Sequence, residues 1–172
     1  MGANPGMVSL FAKRMLKTMW DEITQEAQVP QTASSAIDFA SIANQLGVRV
    51  VHIAERDTQL PVVPRPKGHF TNTWSVDGFI LEGVKQCADI GWGTHERTLP
   101  SNGHEFSFGC GSAIRLAEPS AGVKVLTYVP TFGEQVACAV THFETSSLAD
   151  LLTKKDTKGQ VLYRPTVHYA YQ

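Results

Sequence analysis

Only three cysteines, Cys87, Cys110 and Cys138, occur among the 172 residues, and no two of them form a CxxC pair. An odd number of isolated cysteines fits reduced thiols in the cytoplasm better than a disulfide framework. The sequence also lacks a basic N-terminal region followed by an apolar stretch, and no apolar run reaches the length that a bilayer requires. We therefore expect a cytoplasmic protein without a secretion signal or a membrane span.

The sequence also lacks an excess of charge of either sign. The formal net charge is -1, and the fifteen Lys and Arg residues are scattered along the chain. Without a basic stripe interleaved with aromatic residues, there is no footprint for a phosphate backbone, and nucleic acid is excluded as an expected partner. The apolar fraction of 42% is typical of a globular protein with a hydrophobic core.

Several catalytic motifs are incomplete or absent. Two GxG pairs begin a dinucleotide-binding GxGxxG pattern, but Glu96 and Ile114 occupy the position of the third glycine. The HxE sequence at His142 has no downstream PCxxC, which a zinc deaminase needs, and no GxSxG elbow is present. The remaining candidate zinc ligands match no common spacing: Cys87, His95, His104 and Cys110. We expect no metal site.

The first third of the chain has the pattern of an α/β protein. Asn4 and Pro5 predict a helix start, and apolar residues at helical spacing between positions 8 and 23 predict one buried face. A second, shorter helix should end at Gly47. The β-branched residues of 48–53 predict a strand covered by helices. Glu55 follows its carboxyl end, where ligands bind in open α/β sheets, although a solvated loop is equally consistent.

The proline-rich segment 61–68 predicts a domain boundary or crossover. After it, Ser75 can cap a helix with Trp74 and Glu82 near one side. Its other side is predicted to be buried and carries Val76, Phe79, Ile80, Gly83 and Val84. An aromatic ring and a carboxylate on one face can hold opposite ends of an extended cation. The alternative is that Trp74 fills the core and Glu82 is a surface charge.

From residue 106 onward, short apolar runs separated by turns predict an antiparallel meander. His142 and Glu144 form a polar pair at the end of one such strand, just before a helix that Thr145 or Ser146 can cap. Their placement repeats that of Glu55, and it is also consistent with a structural histidine whose hydrogen bonds are satisfied in the core.

Six short blocks stand out by their order and spacing: GANPG, HIAERDTQ, TNTWSVDGF, GWGTHE, GCGSAI and RPT-x-HYAY. In these blocks the sequence closely resembles the bacterial homospermidine synthases, and the similarity covers essentially the whole chain. Several blocks of five or more residues in register are far more specific than a single glycine motif.

The resemblance places the chain among the saccharopine-dehydrogenase-like enzymes and implies a fold of the α/β class. Residues 1–60 are expected to be the tail of a Rossmann-type dinucleotide-binding domain. Residues 61–172 are expected to be part of an α+β catalytic domain that binds polyamines and contains an antiparallel sheet. Members of the family are more than twice as long, so the chain is expected to be an internal fragment that lacks most of the NAD site and is inactive alone.

The resemblance also implies the chemistry. The family uses tightly held NAD to oxidise putrescine, or the aminobutyl part of spermidine, to an imine. A second putrescine exchanges with it, and return of the hydride gives homospermidine, so the net reaction is aminobutyl transfer in polyamine biosynthesis. The expected partners are putrescine and spermidine, with a homodimer as the complete enzyme.

Site residues follow from the resemblance by position. Trp74 corresponds to a tryptophan that offers its ring face to the cationic intermediate, and Glu55 and Glu82 correspond to acidic substrate contacts. His142 and Glu144 correspond to a pair beside the reacting amine, with Asn4 nearby. Which group is the general base stays open, and so do the residues that bind the cofactor.

Two other functions are consistent with the sequence. The chain can be a non-catalytic polyamine-binding or subunit-interaction remnant of the enzyme. It can also derive from a related dehydrogenase with a carboxylated substrate, which would need an arginine clamp, and Arg56, Arg97 and Arg115 are available for one.

Overall fold

The computed structural model describes residues 6–27, 37–69, 71–72, 75–106 and 113–172. The helical segments within these ranges are α1 (Met7–Glu26), α2 (Phe39–Gln45), α3 (Val76–Ile80), a π-helical turn (Leu81–Lys85), a 3-10 turn (Ser120–Gly122) and α4 (Phe143–Leu151). The strands are β1 (Val50–Glu55), β2 (Cys87–Gly91), β3 (Gly103–Phe106), β4 (Ala113–Pro119), β5 (Lys124–Val129), β6 (Gly133–Val140), β7 (Lys154–Lys155), β8 (Val161–Tyr163) and β9 (Thr166–Tyr171).

Seven of the described strands form one mixed sheet, in the order β3-β4-β2-β9-β6-β5 with β1 also paired to β9. The pairing of β1 with β9 is parallel, and the other pairings in this sheet are antiparallel. Strands β7 and β8 form a separate small ribbon. The predicted mixed α/β class with a mostly antiparallel sheet is confirmed.

One sheet therefore contains strands from both sides of residue 60. The assignment of residues 1–60 to a dinucleotide-binding domain and of 61–172 to a catalytic domain stays a prediction. The strand predicted for residues 48–53 has helices packed on it, because Val51 is buried in the cluster that contains side chains of α1 and α2, while Val50 and His52 are exposed.

The main core lies between the helices and one face of the sheet. Its buried members come from α1, α2, β1, β9 and the α4 region: Ala12, Leu16, Ile42, Ala43, Val51, Leu148, Ala149, Leu152 and Val167. A smaller cluster contains Ala88, Ile114, Leu116 and Ala139. Because side chains alternate along a strand, β9 places Val167, Tyr169 and Tyr171 on the helical face and His168 on the other.

Helix α1 buries less of its predicted apolar face than expected. Ala12 and Leu16 are buried. A second row at four-residue spacing is turned away from the core, and its members are 39% to 58% exposed: Phe11, Met15, Met19 and Ile23. Asn4, the predicted cap, lies outside the described residues. No helix in the described ranges is long and apolar enough to cross a bilayer.

Local signals predicted some helix ends and missed others. Gly47 has φ 67° just after α2, as predicted for its position, and Ser75 accepts a hydrogen bond from Gly78 N at 3.0 Å. The predicted cap of α4 is wrong, because Thr145 lies inside the helix. Its hydroxyl donates backward to the carbonyl of His142 at 2.7 Å, a local bond that threonine often makes.

Because His168 of β9 is buried, we expect the protein to lose stability in mild acid. His168 is 9% exposed, and its Nδ1 has no hydrogen-bond partner among the described residues. Burial, assisted by the neighbouring His52, lowers the pKa of His168 to about 4. A folded-state pKa below the unfolded value stabilises the fold at neutral pH, and this contribution is lost as pH falls from about 6.5 toward 4.

We expect the free energy of unfolding to fall by about 2 kcal/mol between pH 7 and pH 5 through this one group. Urea titrations of the wild type and of His168→Gln would measure it, and the variant should lose most of this pH dependence. The exposed His69, changed to Gln, is the control and should keep it. Equal pH dependence in the wild type and His168→Gln would contradict the prediction.

Candidate functional site

Two tyrosines of β9 lie at the centre of a cluster of ionisable side chains. Tyr169 Oη donates to Glu55 Oε2 at 2.6 Å, and Tyr171 Oη donates to Glu82 Oε2 at 2.9 Å. The parallel register places Ile53 beside Tyr169 and Glu55 beside Tyr171. Both glutamate contacts therefore lie where two parallel strands end together, a common position for ligand binding in sheets covered by helices.

Glu82 reaches the cluster from a π-helical turn. After α3, the chain continues as the π-helical turn Leu81–Lys85, and Gln86 N donates to Leu81 O at 2.9 Å. Insertion of one residue into a helical turn rotates the following side chains, and such π-bulges are frequent at functional sites. The apolar helical face predicted for this segment is wrong in part, since Val76, Ile80 and Val84 are exposed.

His142 and Glu144 reach the same cluster from the start of α4. His142 Nδ1 lies 2.9 Å from Glu144 Oε2, and its Nε2 lies 3.3 Å from Tyr171 Oη. The imidazole also stacks on the ring of Tyr169, with centroids 4.4 Å apart and planes at 22°. Glu144 is only 2% exposed and lies in the first turn of α4, where the helix dipole favours a carboxylate.

The electrostatics of the cluster are dominated by three carboxylates, those of Glu55, Glu82 and Glu144. Burial first, and then the hydrogen bond and charge of Glu82, raise the pKa of Tyr171 far above its usual value. Its hydroxyl therefore stays protonated and acts as a donor. Within the described part of the chain, no Lys or Arg lies at ion-pair distance from Glu55 or Glu82.

An open cavity of about 440 Å³ adjoins the cluster. Its lining includes two carboxylates, two aromatic rings and several amides and hydroxyls: Glu55, Asp57, Gln59, Thr71, Asn72, Phe79, Gly83, Ala121, Cys138, Val140, Tyr171 and Gln172. None of these described lining residues is Lys or Arg. The cavity is therefore acidic and partly apolar, which suits an organic cation better than an anion.

The structure brings together four of the six site residues predicted from the sequence: Glu55, Glu82, His142 and Glu144. Trp74 and Asn4 lie outside the described residues. The sequence analysis did not predict a role for Tyr169 and Tyr171, which connect these four residues. Their alternation within the HYAY block was the available signal, because residues two apart in a strand share a face.

The described residues do not form a dinucleotide phosphate loop. In the Gly91-Trp92-Gly93 segment, a Cβ on Gly93 would lie 2.6 Å from Thr166 N, so this glycine permits close packing of two chain segments. It does not open a helix, as a phosphate-binding glycine does. The second GxG pair, at residues 109–111, lies outside the described residues. NAD therefore does not fit these residues as a complete binding site.

A metal centre also finds no support in the portion of the chain that is described. No group of three or more His, Cys, Asp or Glu side chains there is arranged to hold an ion. The pair of His142 and Glu144 is instead bonded internally, with the imidazole between a carboxylate and a phenol. Its geometry suits proton transfer or the orientation of an amine.

Comparison with known proteins identifies the class. The chain has a mixed sheet with an acidic site at the end of its parallel strand pair. Its residues 2–172 match the saccharopine dehydrogenase C-terminal domain family. The chain belongs to this family. Among characterised proteins it is similar to the homospermidine synthases of Blastochloris viridis and Mesorhizobium japonicum, each 46% identical over 170 residues.

The alignments cover 99% of this chain and 35% of each of these two relatives. A crystal structure of the homospermidine synthase from Legionella pneumophila in complex with NAD matches with a TM-score of 0.84 and 44% identity. That match covers 99% of this chain and 36% of the Legionella chain. The chain thus spans about a third of the length of these relatives, and the resemblance predicted from the sequence blocks is confirmed.

Proposed function

We propose that this chain forms the polyamine-binding part of a homospermidine synthase. The observation that carries the proposal is the convergence of Glu55 and Glu82 on two tyrosines, which the bonded pair of His142 and Glu144 also contacts through His142, beside an acidic cavity. A diammonium ligand loses its hydration on entering such a site, and carboxylates with aromatic faces replace part of it.

The proposed roles follow from position. Glu55 and Asp57 line the cavity and would hold one ammonium group, while Glu82 would hold another beside Tyr171. The bonded pair of His142 and Glu144 would orient the reacting amine and transfer its proton. Trp74 and Asn4 keep the roles that the resemblance implies, a ring face for the cationic intermediate and a nearby substrate contact.

In the complete enzyme, the reaction would be aminobutyl transfer from putrescine or spermidine to putrescine through an imine, with release of ammonia or diaminopropane. The hydride chemistry would use NAD held by a dinucleotide-binding region that the described residues do not supply. We therefore propose that the chain alone binds polyamine without synthase activity. A cytoplasmic homodimer remains the proposed form of the complete enzyme.

A carboxylated substrate is less well supported. A clamp for its carboxylate would need an arginine in the cavity, but Arg56, Arg97 and Arg115 do not line it. Arg115 instead forms a two-pronged contact with Asp89, with nitrogen-oxygen distances of 2.8 and 2.9 Å. Arg56 lies over the ring of Phe132, 4.0 Å from its centroid.

Calorimetric titration of the 172-residue chain tests the proposal. We expect putrescine to bind at least about tenfold more tightly than butylamine, because the second ammonium gains its own charged hydrogen bonds. The carboxylated analogue 4-aminobutanoate should bind no better than butylamine. Equal affinities for putrescine and butylamine, or a preference for 4-aminobutanoate, would contradict the proposal.

Incubation of the same chain with putrescine and NAD, followed by mass spectrometry, tests whether the chain catalyses the reaction or only binds polyamine. Binding without homospermidine formation is the expected result. Homospermidine in this assay would overturn the proposal that the chain alone is inactive and leave the proposed polyamine site intact.

A further inference from the structure

The hydroxyl of Tyr171 connects two groups with different proposed tasks. It donates to Glu82, the proposed ammonium contact, and it also lies 3.3 Å from Nε2 of His142, the proposed proton-transfer group. A phenol carries one proton, so Tyr171 can donate to only one of these neighbours at a time. If Tyr171 donates to Glu82, Nε2 of His142 must itself donate to the phenol oxygen. If Tyr171 donates to Nε2, that nitrogen must accept.

Counting the protons defines the state without ligand. When Glu144 is ionised, its contact with Nδ1 requires a proton on that nitrogen. When Tyr171 donates to Glu82, the contact with Nε2 requires a proton there as well, because the phenol oxygen can only accept. In this arrangement both ring nitrogens of His142 carry protons, and the ring stacks on Tyr169.

A cation arriving at Glu82 changes this balance. The ammonium satisfies the carboxylate that Tyr171 had satisfied, and its charge repels the nearby imidazolium. Loss of the Nε2 proton removes the repulsion and leaves a nitrogen that accepts a hydrogen bond. Tyr171, relieved of Glu82, can then turn its proton to Nε2. The phenol keeps its O–H bond, and the proton from Nε2 leaves to solvent.

We propose that Tyr171 is a positioning residue that couples the binding of an ammonium group at Glu82 to the release of a proton from His142. The inference rests on the proposed polyamine function and adds a link between substrate occupancy and the proton state of the base. A neutral His142 would thus become available only when an amine is present to be deprotonated.

The groups that face His142 from the surrounding elements all enter this balance. Glu144 comes from α4, Glu82 from the π-helical turn, Glu55 from β1, and Tyr169 and Tyr171 from β9. The three carboxylates belong to this cluster before binding, and ligand ammonium groups would enter the same cluster. Tyr169 donates to Glu55 and meets His142 through its ring face, so it does not bridge Glu82 and the imidazole.

Proton counting by titration calorimetry tests the coupling. Putrescine binding to the 172-residue chain is measured at pH 6 in two buffers with different ionisation enthalpies. The wild type should release about one proton per bound putrescine, and Tyr171→Phe should release half of that or less, since the phenyl ring keeps the packing and loses the hydroxyl. The control Tyr163→Phe removes the hydroxyl of a half-buried tyrosine, which donates to Val48 O at 2.7 Å, and should release protons like the wild type.

The outcomes separate this inference from the proposed function. Binding of putrescine to the wild type without proton release would overturn the coupling and leave the polyamine site standing. Equal proton release from the wild type and Tyr171→Phe would overturn the role of Tyr171. Failure of the folded wild type to bind putrescine at all would overturn the proposed function, and the coupling with it.

Discussion

Replacing both Glu55 and Glu82 with glutamine should weaken putrescine binding by at least about a hundredfold. Each carboxylate is expected to make a charge-assisted hydrogen bond to one ammonium, a contact that contributes about 1.5–3 kcal/mol. Each tenfold change in affinity corresponds to about 1.4 kcal/mol, so each single change should cost about tenfold or more. Titration calorimetry of the two single variants and the double variant measures all three effects.

Glutamine is the appropriate replacement because it keeps the shape of glutamate and an oxygen that accepts from Tyr169 or Tyr171. The structural network should therefore survive while the charge is removed. The exposed Glu118 of β4, changed to Gln, is the matched control for loss of one negative charge. If Glu82→Gln weakened binding no more than Glu118→Gln, the proposed ammonium contact would be wrong.

The elements that depend on local chemistry were predictable from the sequence. The helix α1 and the serine cap of α3 depend on neighbouring residues, and the structure has both, although only part of the predicted apolar face of α1 is buried. Gly47 likewise has the positive φ expected after a helix. These predictions succeed because capping and helical periodicity involve residues within about two turns of each other.

The connections within the candidate site depend on distant residues. Tyr169 and Glu55 are 114 positions apart, and they meet only because β1 pairs in parallel with β9 in one particular register. A shift by one residue would send both tyrosines to the opposite face of the sheet. Sequence spacing does not reveal that register, so the resemblance supplied four of the clustered residues without the tyrosines that join them.

The π-helical turn is a second feature that the pattern could not reveal. A helix with regular 3.6-residue spacing would bury Val76, Ile80 and Val84, yet all three are exposed. The π-helical turn begins after Ile80 and contains Glu82, whose carboxylate accepts from Tyr171 Oη at 2.9 Å. Here the local sequence preference is overridden where the candidate site needs a carboxylate.

Replacing Gly91 with alanine should have the largest effect on stability. A Cβ at this position would lie 2.4 Å from the Thr145 carbonyl oxygen and 2.8 Å from Ala149 Cβ, both in α4. Overpacking of this kind costs about 1–3 kcal/mol, and a clash with backbone, which cannot rotate away, belongs at the upper end. We expect a loss of about 3 kcal/mol and a melting temperature about 6–12 °C lower.

The same change should reach the candidate site, because α4 must move away from β2 and its first turn carries Glu144 behind His142. Putrescine binding should therefore weaken in the folded fraction of Gly91→Ala.

Alanine substitutions at two other glycines distinguish the effect of this clash from the effect of backbone strain. Gly122→Ala meets open space and should change stability by less than about 0.5 kcal/mol, while Gly47→Ala also meets open space but has φ +67° and should cost about 1 kcal/mol. Thermal unfolding of the three variants should give that order, and a Gly91→Ala protein as stable as Gly122→Ala would mean that α4 does not pack on β2 as closely as described.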